Sequence, residues 1–287
     1  MGAGRLKETV AQAVFAGAAC VCILAVVLIC LFLLVNGIPA IAEIGPLEFL
    51  SGTSWRPANG LYGIAPMIIG SLYVTAGALV LGVPLGLTTA LYLARFASAR
   101  VLRLLRPAME LLAGIPSVVF GFFGLMLIIP AIRGAFPDVQ GMSVLAASLL
   151  LGIMILPTII TVALASLEAV PESYYEGGLA LGASHERCVF RLLVPAAASG
   201  IMAGIILGVG RAVGETMAVI MVIGNQPRIP SGILEGARTL TGNIVLEMGY
   251  AADLHRGALI GTAVVLFVFI LLINFLFSLL TRKKVHA

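Results

Sequence analysis

Long apolar runs separated by short polar stretches dominate the chain. Six runs are uncharged over most of their length, and each can hold about 20 residues, which is enough to cross roughly 30 Å of hydrocarbon. The pattern predicts spans at 13–35, 67–93, 112–132, 143–167, 196–224 and 257–280. We therefore expect an all-α, polytopic membrane protein with six transmembrane helices.

Composition supports the same class. Of 287 residues, 61% are hydrophobic and 10% are charged, whereas a soluble domain is about half apolar and a quarter charged. The first apolar run is longer than the hydrophobic core of a secretory signal, so we interpret it as an uncleaved anchor helix. Residues 1–12 then form an N-terminal segment, and 13–287 form a single transmembrane domain with its core at 67–280.

The first long gap between spans, Asn36–Pro66, is rich in glycine and proline and is predicted to be a loop. Trp55 and Tyr62 in it suit either an interfacial aromatic belt or plain packing within the loop. No internal repeat is visible, which argues against a secondary transporter built from inverted repeats.

Lysine and arginine are distributed unevenly between the two sets of loops. One set carries eleven of them: Arg5, Lys7, Arg95, Arg100, Arg103, Arg106, Arg187, Arg191, Arg282, Lys283 and Lys284. The other set carries five: Arg56, Arg133, Arg228, Arg238 and Arg256. The positive-inside rule therefore places the first set and both termini of this multi-pass membrane protein in the cytoplasm.

Few residues suggest chemistry on a substrate. The four cysteines, Cys20, Cys22, Cys30 and Cys188, form no CxxC pair. The three histidines, His185, His255 and His286, lack the spacing of metal ligands. No phosphate-binding GxxxxGK[ST] loop occurs, so we expect no catalytic residue, no metal site and no cofactor bound by this chain.

One polar stretch stands out between the fourth and fifth runs. In EGGLALGASHERCVFRLLVP, residues 176–195, a helix is predicted after Pro171 and a stop at Gly182, because glycine adopts a left-handed cap easily. A second helix, Ser184–Leu193, is predicted to end before Pro195. We expect a helix–turn–helix outside the bilayer over residues 171–194, the alternative being an ordinary solvated loop.

The same stretch resembles a motif of binding-protein-dependent ABC importer permeases, E-A-A, three residues, G, nine residues, I-x-L-P. Here it is Glu176-Gly177-Gly178, then Gly182, then Leu192-Leu193-Val194-Pro195, with both alanines replaced by glycine. The resemblance implies a type I ABC importer permease fold in which this segment is a coupling helix docked on a separate ATPase subunit. The residues it favours as ATPase contacts are Glu176, Gly178, Leu181, Gly182 and Ala183.

Two charges interrupt the fifth run. Arg211 and Glu215 are four residues apart, so on a continuous helix they share a face. A charge at the bilayer centre costs about 2.5–3.5 kcal/mol on insertion scales and normally faces the bundle interior or water. The pair is either an intrahelical ion pair that holds the bundle together or an anion site on a transport path.

The segment GRAVGETMAV that holds these charges is similar to phosphate ABC importer permeases of the PstC type, as are VPLGLTTALYL at 83–93 and AGIPSVVFGFFGL at 113–125. The resemblance covers nearly the whole chain. It implies a substrate pathway through Arg211, Glu215 and Thr216. It also implies a PstA-like permease partner, two ATPase subunits that hold ATP and Mg²⁺, and a periplasmic phosphate-binding protein.

Three alternatives stay open on the sequence. The chain could be a permease for another oxyanion, such as molybdate or sulfate. It could be an ATP-independent channel or secondary transporter, and it could also act as a signalling scaffold.

Hydrogen phosphate keeps a proton at neutral pH and sulfate has none, so we expect the Glu215 carboxylate to favour phosphate by accepting a hydrogen bond from it.

Overall fold

The structure is a computed structural model that describes the backbone of residues 2–285 and the side chains of residues 8–276 and 279. His286 and the terminal basic side chains used to predict orientation lie outside the described side chains. The helices, in chain order, are α1 (Gly2–Ile44), α2 (Pro46–Ser51), α3 (Ala65–Arg95), α4 (Ala99–Gly114), α5 (Ser117–Phe123), α6 (Ile129–Ala135), α7 (Val144–Glu168), α8 (Glu172–Ala180), α9 (His185–Cys188), α10 (Val194–Ala196), α11 (Ala198–Gly214), α12 (Met217–Val222), α13 (Leu240–Glu247) and α14 (Asp253–Val285).

The remaining regular elements are short. A two-stranded antiparallel hairpin pairs β1 (Trp55–Arg56) with β2 (Leu61–Tyr62) around a 3₁₀ turn at Pro57–Asn59. Two π-helical turns, Gly124–Ile128 and Val189–Leu193, join α5 to α6 and α9 to α10. Among the described residues, five helices are long and apolar enough to cross a membrane. There are six if the bent pair of helical stretches His185–Ala196 and Ala198–Gly214 forms one span. The predicted helical membrane fold is confirmed.

The centre of the bundle is the packing of α3 and α11 against α7. Glycines allow the close approach: a Cβ at Gly82 or Gly208 would lie within 3 Å of side-chain atoms of Ile155 or Ile159 on α7. Small residues at helix crossings let backbones approach in a bilayer, where association depends on van der Waals contact rather than on the hydrophobic effect. α7 is accordingly the most buried of the candidate spans in the described chain.

The prediction that Asn36–Pro66 is a loop is wrong from Asn36 to Ile44, which are helical. α1 continues past Asn36 and Pro39 to Ile44. The Asn36 side chain donates to the Phe32 carbonyl at 2.8 Å, and a Cβ at Gly37 would clash with Val264 of α14. The close contact with α14 stabilises a helix that local turn residues argue against.

The third span lies a few residues further along the chain than the predicted range 112–132. α4 is a separate helix capped by Ser98, and the apolar span is Ser117–Ala135. The break falls at Ile115, which is extended, with φ −66° and ψ 129°, because a residue before proline is disfavoured in the helical region. Pro116 therefore separates an amphipathic helix from a membrane helix.

The fifth predicted span, 196–224, is wrong as a single helix. The helical stretch that begins at His185 bends by 69° between Ala196 and Ala198, and α11 then ends at Gly214. α12 is a separate short helix after Thr216. The other predicted spans, 67–93, 143–167 and 257–280, lie within α3, α7 and α14 apart from the first residue of the second range.

The two ends of α3 define the two ends of the bundle. At one end, which we call the Arg95 end, Arg95 meets Glu172 of α8. At the other, which we call the Trp55 end, the hairpin contacts α13 through Trp55 and Glu247. The polar segment that follows α7 lies at the Arg95 end.

Candidate functional site

The polar segment at the Arg95 end, residues 171–194, starts with a helix that stops as predicted. Gly182 has φ +81°. Its N–H donates to the Leu179 carbonyl at 2.9 Å, and the Ala183 N–H donates to the Gly178 carbonyl at 3.1 Å. This pair of bonds is a Schellman cap, which satisfies carbonyls that the end of a helix leaves without partners. The helix–turn–helix is therefore present.

The second helix runs further than predicted. The Ser184 hydroxyl caps α9 by accepting from the Arg187 N–H at 3.4 Å. The chain then passes through the π turn Val189–Leu193 and α10, so Pro195 lies inside the helical stretch and does not end it. A π turn shifts the hydrogen-bond ladder by one residue, and we attribute the tolerance of proline to that shift.

The residues predicted to contact an ATPase divide into two groups. Leu181 is 90% exposed at the tip of the turn, beside exposed Gly182 and partly exposed Ala183, and Glu176 is exposed on α8. Gly178 is buried instead, and a Cβ there would lie 2.6 Å from Leu192 Cδ1 and 2.7 Å from Cys188 Sγ. Gly178 thus supports the helix pair from inside, and Leu181 presents a large apolar side chain outside it.

Arg95 at the end of α3 also contacts the polar segment. Its Nη1 donates to both carboxylate oxygens of Glu172 at 3.0 Å, and its guanidinium lies 5.3 Å from the centre of the Tyr175 ring. The Tyr175 hydroxyl lies 2.7 Å from His185 Nδ1, which joins α8 to α9. From the sequence, Arg95 was assigned to orientation only; its place just after an apolar span was the available signal.

The second candidate region is the end of α11. Arg211 lies in its last turn, partly buried, and Nη1 donates to the Thr158 hydroxyl of α7 at 3.2 Å. A cation in the last turn is favoured by the partial negative charge of the helix C-terminus. The guanidinium has five N–H donors in a planar fork, so a single hydroxyl engages only part of its capacity.

The prediction that Arg211 and Glu215 share a helix face is wrong. α11 ends at Gly214, and Glu215 is extended, with φ −69° and ψ 131°. Its Oε1 accepts from the Thr216 N–H at 3.1 Å and from the Ala218 N–H at 3.2 Å, so the carboxylate caps α12. A carboxylate satisfies the N–H groups at a helix start well, which explains why the side chain turns away from Arg211.

Thr216 and α13 complete the break between α11 and α12. The Thr216 hydroxyl donates to the Gly214 carbonyl at 3.3 Å, and the Thr241 hydroxyl donates to the Glu215 carbonyl at 3.2 Å. The structure therefore places all three predicted pathway residues at one interruption of the fifth span. Arg211 bonds to α7 on one side of this interruption, and Glu215 bonds to the start of α12 on the other.

A cluster at the Trp55 end was missed by the sequence analysis. Glu247 is the shared acceptor: Oε2 accepts from Trp55 Nε1 at 2.8 Å and lies 2.9 Å from His255 Nε2, and Oε1 accepts from Arg238 Nη1 at 2.5 Å. Arg238 also donates to Asn243 Oδ1 at 3.0 Å. We call Trp55, Arg238, Asn243, Glu247 and His255 the Glu247 cluster.

The Glu247 carboxylate is held in its charged form. Burial raises the pKa of Glu247, but hydrogen bonds from Trp55, Arg238 and His255, with the charge of Arg238, outweigh burial, so the pKa lies below its ordinary value. Its three side-chain partners come from β1, the segment before α13 and α14. Such long-range partners leave no local spacing for sequence reasoning to detect.

Metal chemistry has no geometric support in the residues that the structure describes. No group of three or more histidine, cysteine, aspartate and glutamate side chains in them is arranged to hold an ion. The carboxylates described above are engaged by arginine, tryptophan, histidine or backbone N–H groups instead.

Comparison with known proteins identifies relatives over most of the chain. The family described as binding-protein-dependent transport system inner membrane component matches residues 82–286. The probable ABC transporter permease protein YqgH of Bacillus subtilis is 37% identical over 98% of this chain and 93% of its own. The phosphate transport system permease protein PstC of Mesorhizobium japonicum is 33% identical, over 79% of this chain and 75% of its own.

Solved structures share the fold at lower identity. Two crystal forms of the MetNI methionine ABC transporter in inward-facing conformations each contain a similar chain. One matches with a TM-score of 0.60 and 20% identity, covering 80% of this chain and 99% of its own. The other matches with a TM-score of 0.57 and 22% identity, covering 77% and 94%. At this identity the likeness concerns the fold alone.

Proposed function

Since the chain belongs to the family of binding-protein-dependent transport system inner membrane components, we propose that it is the PstC-like permease subunit of an ATP-driven phosphate importer. As an ABC importer permease it is an integral inner-membrane transport component and not an enzyme, and it works with ATPase subunits and a substrate-binding protein. Phosphate as the substrate, and a PstA-like partner in a heterodimer, are the parts that we propose.

Arg211 is the observation that carries the phosphate proposal. It is a permanently charged, partly buried guanidinium at the break in the fifth span, and Glu215 is directed to the start of α12 rather than to Arg211. A guanidinium in this state can donate two parallel hydrogen bonds to an oxyanion. Relatives over three quarters of the chain are phosphate transport system permease proteins, which supports phosphate among oxyanions.

Release of the anion requires that Arg211 does not hold it too tightly. Glu215 is close in sequence, and its carboxylate accepts from the backbone N–H groups of Thr216 and Ala218 at the start of α12. We propose that a shift of α12 brings the carboxylate nearer to the anion during transport. Glu215 would then accept a hydrogen bond from hydrogen phosphate and repel sulfate.

The direction of transport follows from the proposed orientation. The Arg95 end is proposed to be cytoplasmic, because basic side chains are concentrated there, and both termini are proposed to lie on the same side. The exposed tip at Leu181 would then enter a groove of an ATPase subunit. Closure of two ATPase subunits moves the segment, and access to Arg211 alternates between the two ends.

The experiment is phosphate uptake by the assembled importer in proteoliposomes, with Arg211→Gln compared with the exposed control Arg228→Gln. We expect Arg211→Gln to lower uptake by about 10-fold or more, since one charged hydrogen-bonding group is lost from a partly buried site. Arg228→Gln should change it little. Equal uptake in the two variants, with ATPase co-purification intact, would contradict the proposal.

The same assay separates phosphate from other oxyanions. Sulfate and molybdate are added as competitors, and we expect phosphate alone to compete at matched concentration. In Glu215→Gln we expect discrimination between phosphate and sulfate to fall, because glutamine lacks the negative charge that repels sulfate and adds an N–H group that can donate to it. Unchanged discrimination would remove the selectivity role of Glu215 and leave that of Arg211 in place.

A further inference from the structure

The polar segment, residues 171–194, is connected through the backbone to two membrane helices. It follows α7 through Pro171, and it continues into α11 through the π turn and α10. A displacement of the segment therefore acts directly on α7 and α11. α3 packs against both helices but is separated from the segment by more than 70 residues of chain.

Side chains at the end of α3 bridge that separation. Arg95 is only 15% exposed, although its partner Glu172 is 56% exposed, because the guanidinium lies over the Tyr175 ring. The next residue, Phe96, has its ring 4.8 Å from the His185 ring, in an edge-to-face arrangement. The end of α3 thus contacts α8 through Arg95 and α9 through Phe96.

Each of these contacts is weak alone. A carboxylate that is half exposed gains little from an ion pair, and an edge contact between rings adds a modest attraction. Together, these contacts hold the end of α3 against both helices of the segment at once. The hydrogen bond between Tyr175 and His185 makes those two helices one unit.

A second arginine–glutamate pair at the same end provides a contrast. Arg106 of α4 donates to both oxygens of Glu168 at 2.8 and 3.0 Å, and the two side chains are 48% and 43% exposed. Glu168 is the last residue of α7 and precedes the polar segment. This pair joins α4 to α7 and leaves α8 and α9 untouched.

We propose that Arg95 is a positioning residue that couples α3 to the polar segment, so that displacement of the segment by an ATPase moves α3 together with α7 and α11. The inference rests on the proposed role of the segment as the ATPase contact. Without Arg95, the segment can move while α3 lags behind. ATP hydrolysis then continues with less transport per ATP.

The test is the number of phosphate ions transported per ATP hydrolysed by the complete importer in proteoliposomes. We expect Arg95→Gln to lower this ratio about three- to tenfold, which is the usual size of effects along a mechanical connection. ATP hydrolysis and ATPase co-purification should stay near wild type. Arg106→Gln, the matched control, should leave the ratio unchanged.

Two further variants separate positioning from a general loss of structure. Arg95→Lys keeps the charge but loses the flat guanidinium that covers Tyr175, and we expect an intermediate ratio. The exchange of charges in Arg95→Glu with Glu172→Arg should restore part of the ratio that Arg95→Glu loses. A merely structural role would not produce this rescue.

Three outcomes would overturn the inference. They are an equal fall of hydrolysis and transport, an equal effect of Arg95→Gln and Arg106→Gln on the ratio, and loss of ATPase co-purification without rescue by the charge exchange. If the wild-type importer moves another oxyanion and not phosphate, the proposed function fails on its own. The ratio is then measured with that oxyanion, so the coupling role is still tested.

Discussion

The Glu247 cluster and the Arg95 contact use the same residue types at opposite ends of the bundle, and burial makes them different. Glu247 and Arg238 have side chains only 9% and 13% exposed, and Glu247 has partners on three sides. Glu172 is 56% exposed and has Arg95 as its ion-pair partner. Removing one partner of a buried pair is strongly destabilising. A pair with a half-exposed carboxylate, as Glu172 is although Arg95 is 15% exposed, contributes roughly 0–1 kcal/mol.

This difference in burial suits the two ends of the bundle to different roles. The Trp55 end joins the hairpin, α13 and α14 through one carboxylate, so these elements move as a body. The Arg95 end is held by weak contacts around a segment whose tip is exposed, which suits a surface that has to shift with a partner.

The largest expected effect is loss of the buried carboxylate. Glu247→Ala leaves the Arg238 guanidinium buried with only amide and carbonyl oxygens, and we expect about 3–5 kcal/mol of destabilisation. Thermal unfolding of the detergent-solubilised chain measures it. Glu235→Ala, at an exposed carboxylate bonded to Ser231, is the control and should unfold close to wild type. Equal unfolding temperatures for the two variants would contradict the contrast.

The next effect concerns what holds the polar segment together. Gly178→Ala places a methyl group within 3 Å of Leu192 and Cys188, and we expect about 1–3 kcal/mol of destabilisation from overpacking. Gly177→Ala meets nothing within 4 Å, so it should stabilise α8 by about 1 kcal/mol through helix propensity. The two neighbouring variants should shift thermal unfolding in opposite directions. A shift in the same direction would show that packing inside the segment is not what fixes it.

A smaller effect is the dependence of the Glu247 cluster on pH. The folded-state pKa of Glu247 is below its ordinary value of 4.5, so the charged cluster contributes fully above that pH and loses its contribution as the pH falls below it. The stability difference between wild type and Glu247→Gln should shrink by up to about 1.4 kcal/mol per pH unit as the pH falls below 4.5. A difference that grows on acidification would contradict the assigned sign.

The smallest expected effect is at the exposed pair between α4 and α7. Arg106→Gln removes an ion pair whose two side chains are almost half exposed, so we expect less than about 1 kcal/mol and a further decrease at high salt. Unfolding in low and high salt measures both. A loss close to that of Glu247→Ala would mean that exposure does not separate the two ends.

The parts of the fold that sequence reasoning predicted are those set by local composition. α3, α7 and α14 are long apolar runs, and the Gly182 stop needs a residue that accepts positive φ. The parts it missed depend on contacts distant in sequence. α1 continues through Pro39 because Gly37 packs on α14, and Glu247 bonds to side chains from three separate segments.

The candidate site shows the same division. The residues at the break, Arg211, Glu215 and Thr216, could be named from their charges and from a family motif. Their geometry could not, because the i, i+4 spacing assumes a continuous helix, and α11 stops between the first two. The competing interaction is the cap that Glu215 makes on α12, a local bond that a helical wheel does not represent.

The central claim is that this chain carries phosphate in an ATP-driven importer. It is tested by phosphate uptake into proteoliposomes that contain this chain, a PstA-like partner and the ATPase subunits, with binding protein outside and ATP inside. We predict that phosphate accumulates only when ATP and the binding protein are both present, and that Arg211→Gln abolishes most of this uptake. Phosphate entry that proceeds without ATP, or ATP-driven entry that Arg211→Gln leaves intact, would contradict it.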